Sequence, residues 1–126
     1  ATAMFASACA PATTARCRSG EQAAIMESLY FGTAMSDGRV TQAQWQQFLA
    51  DVITPRFPDG LTAWAAAGQW RNPSGELQKE DSYVLHVVHP QDQRFEEHLH
   101  EVMDEYKSRF DQESVLRVRT PTCISF

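Results

Sequence analysis

Apolar positions along the chain repeat every second residue, then about every 3.6 residues, and the alternation of these periods predicts six elements. Ser28-Leu29-Tyr30-Phe31-Gly32 is aromatic-rich, as suits a pleated surface, and predicts a first strand. Ser36-Asp37-Gly38 then turns the chain. Thr41-Gln42-Ala43-Gln44 follows, with the S/T-x-x-E/Q form in which a hydroxyl and an amide each satisfy a free backbone donor at a helix start. Trp45, Phe48, Leu49, Val52 and Ile53 make one helical stripe, with Gln46, Gln47 and Asp51 facing out. Pro55 ends this helix by removing a donor and by biasing Thr54 away from helical dihedrals.

After the turn Pro58-Asp59-Gly60, the stretch from Leu61 to about Arg71 predicts a second strand, although Trp64-Ala65-Ala66-Ala67 also tolerates a helical turn. Gly68 within it marks a bulge or a close backbone approach. Asn72-Pro73-Ser74-Gly75 predicts a hairpin turn, and Ser82 to Val88 a central strand, apolar on both faces. Pro90 opens a second helix carrying Phe95, Leu99, Val102, Met103, Tyr106 and Phe110 at helical spacing. Glu96 and Glu97 early and Lys107 and Arg109 late complement its dipole. Glu113 to Val118 closes the fold as a last strand, with Leu116 and Val118 pointing one way and Val115, Arg117 and Arg119 the other.

The order β-α-β-β-α-β predicts an α+β, ferredoxin-like fold: an antiparallel four-stranded sheet with two helices on one face, a single domain over residues 25–126. Half of every strand's side chains then point away from the helices. Tyr30 on the first strand, His86 on the third and Arg117 on the fourth are expected to cluster on that open face. A phenol, an imidazole and a guanidinium together could bind an anionic or carbonyl group and move a proton. The plainer reading has His86, flanked by Val84 and Val88, lying beneath a second subunit, with Trp64 and Trp70 also suiting a homodimer or partner surface.

Net charge −5, from 11 basic and 16 acidic residues with no basic stripe, argues against nucleic acid as a partner. No apolar run is long enough to span a bilayer as a helix. His98 and His100 are two apart on a helix, and His86 and His89 lie on opposite faces of a strand, so no metal site is expected. Phosphate- and dinucleotide-binding motifs are missing too, and no cofactor is expected. Arg56 and Arg71 sit beside aromatic residues and could stack; with Trp70 they are the ligand-binding candidates, although pairing with carboxylates is their ordinary use.

Residues 1–24 differ in kind. Ala1 to Ala15 is almost wholly Ala, Thr, Ser, Pro and Cys, the composition of a flexible tail or signal-peptide remnant with small residues around Ala6-Ser7-Ala8-Cys9. Either Cys9 is lipidated and tethers the chain to a membrane, or an ordinary signal peptidase releases it to the periplasm or medium. In an oxidising compartment, three cysteines leave one apart. The last strand runs antiparallel beside the first, which makes a Cys17–Cys123 disulfide plausible, against two free thiols.

The stretches Leu29-Tyr30-Phe31-Gly32, Trp45 with Phe48, Thr54-Pro55-Arg56-Phe57-Pro58-Asp59-Gly60-Leu61-Thr62, Gly68-Gln69-Trp70-Arg71, His89 after an apolar strand, and Tyr106-Lys107 through Arg109-Phe110-Asp111-Gln112-Glu113-Ser114-Val115-Leu116-Arg117 carry a resemblance. Over about residues 25–126 the chain resembles a bacterial family of exported proteins classed as a domain of unknown function. That resemblance implies export, often behind a lipoprotein-like signal, and a compact α+β domain, with no established activity. The expectation is thus an exported binding or self-assembling module, working through its open sheet face on a second copy, another protein or a small polar ligand. The alternative is a small cofactor-free enzyme of the dimeric α+β barrel kind.

Overall fold

The computed structural model describes residues 16–126. Cys9 and the expected signal remnant, apart from residues 16–24, lie outside the described residues. Strand β1 (Gln22–Gly32) is followed by a small hairpin of β2 (Ala34–Met35) and β3 (Gly38–Arg39), then helix α1 (Gln42–Phe48). A π-helical turn, Leu49–Ile53, leads into the long pair β4 (Thr62–Arg71) and β5 (Leu77–His89). Helix α2 (Gln93–Arg109) and strand β6 (Leu116–Ile124) complete the chain. The main sheet has the order β4-β5-β1-β6 with every neighbour antiparallel, so the fold is ferredoxin-like, with β2 and β3 inserted after its first strand.

Three of the four strands are longer than their apolar patterns suggest. β1 starts six residues before Ser28 because Gln22 to Glu27, which lacks a strand-like apolar run, is paired along its whole length by β6 and from Ile25 onward by β5 as well. Pro121 sits within β6, tolerated because that strand is an edge and needs donors on one side only. The capping box at Thr41 forms, its hydroxyl accepting from Gln44 N–H while the Gln44 side chain accepts from Thr41 N–H. The helix does not stay α-helical to Thr54. Its last turn widens so that Thr54 N–H donates to Leu49 O, and Arg56 Nη1 donates to Val52 O at 2.8 Å. Val52 and Ile53 both remain buried.

Uninterrupted registers give the sheet a simple parity. Odd-numbered residues of β1, β4, β5 and β6 face the helices, and even-numbered residues face the open side. Leu29, Phe31, Leu85 and Val87 lie on the odd side against Phe48, Ile53, Leu99, Val102 and Tyr106, all of them buried. Phe31 packs edge-on to Tyr106 at 4.7 Å between centroids, and Trp45 stacks on Tyr83 at 4.6 Å. The Tyr106 hydroxyl donates to Gly32 O at 2.6 Å, and burial raises its pKa above the phenol range. Gly68 is in an unbroken ladder, not a bulge: a Cβ there would lie 3.0 Å from Glu80 O.

Candidate functional site

Parity decides what can meet on the open side. Tyr30 and His86 are both there, on the paired central strands, with Trp64 against His86 at 4.7 Å, edge to face. Arg117 is not. It pairs with Leu29, an odd position, and therefore points beneath the sheet towards α2. The expected Tyr30–His86–Arg117 cluster does not exist. The sheet sends the apolar side chains Leu116 and Val118 outward and the guanidinium inward, because a buried carboxylate waits there for it.

That carboxylate is Glu27, on the row of Leu29 and Phe31 and fully buried. Arg117 donates from Nη2 to Glu27 Oε1 at 2.6 Å and from Nε to Glu27 Oε2 at 2.8 Å. It also donates to both oxygens of Glu96, on the first turn of α2, at 2.7 and 2.6 Å. Burial disfavours a charge and the carboxylates restore it, so the Arg117 pKa rises further above its ordinary value. Glu96, bonded by Arg117, is pulled down from the usual 4.5 to about 2.

His89 completes this knot. Nε2 lies 3.0 Å from Glu27 Oε1 and Nδ1 lies 2.7 Å from Pro90 O, so both ring nitrogens face acceptors. These two contacts fix the orientation of the imidazole ring. Phe95 stacks on it at 4.9 Å. The knot ties β1, β5, β6 and α2 together, and its inward placement suits a structural clamp.

The even side is of another kind. Eight large apolar side chains are exposed among the described residues, and Tyr30, Trp64, Trp70, Val88, Leu116 and Val118 are even-numbered strand residues on that side. Trp64, Val84, Tyr30 and Leu116 form one row across all four strands. His86 and Ser28 stand in the next row, between Thr62 and Val118.

The other expected ligand residues are apart from one another. Arg56 donates to Glu101 Oε2 at 2.7 Å on α2, Arg71 closes the β4–β5 turn on Gly75 O at 2.6 Å, and Trp70 donates its indole N–H to Glu80 Oε2 at 3.1 Å. Glu80 also accepts from Ala34 N–H and rests on Gly32, where a Cβ would come within 2.7 Å of its Oε1. Two clefts of ligand size lie elsewhere. One of about 590 Å³ is flanked by β2, β3, β4 and β5, and one of about 540 Å³ by the β2–β3 turn, α1 and the end of α2; neither is lined by Tyr30 or His86.

Cys17 and Cys123 are joined by a disulfide, with their Cα atoms 5.5 Å apart. Glu21 lies close to both, but their thiols are consumed in that bond, so this group is no metal centre.

A family model described as "Protein of unknown function (DUF3574)" matches residues 26–126. The chain belongs to that family. No curated protein matches it. Among solved structures it is similar to a phage SAM lyase in complex with S-methyl-5'-thioadenosine, at 17% identity and TM-score 0.59, covering 91% of this chain and 97% of that one. It is likewise similar to a phage SAM lyase in its apo state, at 16% identity and TM-score 0.58, over 81% of this chain and 89% of that one. At such identities the likeness concerns the fold.

Glu27, Glu96 and His89 were missing from the sequence-based candidates. A signal for Glu27 exists: it shares parity with Leu29 and Phe31 on a central strand, where a carboxylate demands a cationic partner.

Proposed function

We propose that this is an exported assembly module whose open sheet face is covered by the same face of a second copy. The observation that carries this reading is the collection of Tyr30, Trp64, Trp70, Val88, Leu116 and Val118 on one side of the sheet. Their combined exposed area is on the order of 500 Å², at the upper end of the patches monomers leave bare and over half of what each partner contributes to a standard interface. The centre of the face carries no Asp, Glu, Lys or Arg: the side chains around Tyr30 are Val84, Ser28, His86, Trp64 and Leu116. A face of that kind complements itself. The Cys17–Cys123 bond supports export, because such bonds persist in oxidising compartments.

The test is solution mass. Leu116→Asp and Val118→Asp place carboxylates at positions 61% and 45% exposed, where they do not disturb the core. Each should halve the assembly mass measured by light scattering while leaving the far-UV spectrum intact, and an unchanged mass would sink the reading.

A second reading, a small cofactor-free enzyme or nucleoside-binding protein, draws on the phage SAM lyases and on Trp64, Tyr30 and His86 sharing the face. It has lost its guanidinium clamp to the buried knot. Calorimetric titration with S-methyl-5'-thioadenosine would favour it if binding heat appeared and disappeared in His86→Ala.

A further inference from the structure

We infer that β4 is a self-pairing edge, along which two copies join antiparallel with Ala66 on the two-fold axis, making one continuous eight-stranded sheet. Among the described residues, β4 stands at the end of the sheet order and pairs with β5 alone. Its ten residues, Thr62–Arg71, run through ten consecutive pairs without a bulge, so a straight row of outward backbone N–H and C=O groups is left on its far side. Sheets ordinarily guard such a row with charges, proline or a bulge. The opposite edge does so: β6 carries Arg117, Arg119 and Pro121. From Thr62 to Trp70 the other edge has no charged residue and no proline. Its guards are missing where an unpaired strand needs them most.

The side chains select the occupant. On the open side β4 presents Thr62, Trp64, Ala66, Gly68 and Trp70 in order. A two-fold register centred on Ala66 sets Trp64 opposite Gly68 and Trp70 opposite Thr62, so each indole meets a small neighbour of the other copy. On the helix side Ala65 meets Ala67, and Ala63 meets Gln69. No charge meets its like, and Ala66 meets itself. An axis perpendicular to the sheet leaves both open faces on the same side, doubling the apolar layer. This inference goes beyond face-to-face assembly and stands without it, because it uses the β4 backbone edge, although Trp64 and Trp70 of that strand also belong to the open face.

The experiment places opposite charges on the axis. Ala66→Lys alone, and Ala66→Glu alone, should each show half the wild-type mass by light scattering, since like charges then face each other directly. An equimolar mixture of the two should recover the wild-type mass. Added to Leu116→Asp, Ala66→Lys should halve the mass once more. Ala66→Cys in a Cys9→Ser background gives a second readout: mild oxidation should yield a covalent dimer. A single-charge variant with wild-type mass, a mixture that fails to recover it, or an Ala66→Cys protein that stays monomeric overturns the self-pairing. Loss of mass in Leu116→Asp with none in Ala66→Lys would keep the face and sink the edge.

Discussion

Arg117 spends its guanidinium on two carboxylates from two elements, and the larger burden is Glu27, which has no water to turn to. A buried ion pair is a weak net stabiliser, but a buried carboxylate robbed of its partner is costly. Arg117→Met keeps the length of the side chain and removes its charge. It should cost about 3–5 kcal/mol in urea unfolding, and adding Glu27→Gln to it should recover part of the loss. A cost below about 1 kcal/mol would mean that His89 and Arg119, whose Nε is 3.7 Å from Glu27, already suffice. At this scale the sequence misled in one direction. Leu116 and Val118 look like core residues and Arg117 like a surface one, because hydropathy ranks residues one at a time and cannot register that Glu27 has claimed a cation from the neighbouring strand.

Among the elements, α2 is fastened to the sheet by Glu96 as well as by its apolar stripe. The Glu96 carboxyl titrates near 2 in the folded protein against the usual 4.5, because Arg117 bonds its charged form. Its folded pKa is depressed, so its contribution is fully present above the unfolded value and is lost as pH falls from about 4.5 towards 2. Stability measured by denaturant titration across that window should fall less steeply in Glu96→Gln than in the parent; equal slopes would show that the bond does not persist in solution. The order of the six expected elements was legible, from the capping box, the two helical stripes, the Asn72-Pro73-Ser74-Gly75 turn and the central strand, but the β2–β3 hairpin carried no signal, and the second helix starts at Gln93 behind an Asp92 cap rather than at Pro90. Strand lengths were not legible. Gln22 to Glu27 and Arg119 to Ile124 are held as strand by pairing partners, which no local periodicity records.

For the whole molecule, the sheet's two sides do different work. The helix side is sealed by aromatic packing and the charge knot, whereas the open side remains apolar and bare in the single chain. The fold as a layered object was readable from the order of elements, but the placement of chemistry across the layer was not, since a shift of one residue in register exchanges the two sides. The disulfide acts on this same scale. Cys17 and Cys123 are 106 residues apart, so their bond closes nearly the entire described chain, and reducing it should lower stability by about 2–4 kcal/mol. Thermal unfolding with and without reductant checks this, with coincident midpoints as the contrary result.

That sulphur bridge also fixes how the domain would respond to tension. A pull exerted on the chain ahead of Cys17 passes through the covalent link to the outermost strand before it reaches the first residue of β1. Strands β1 and β6 are then loaded together, and β1 cannot be unzipped from its N-terminal end until the link is cut. A domain fastened in this way could be dragged by its leading segment and keep its sheet.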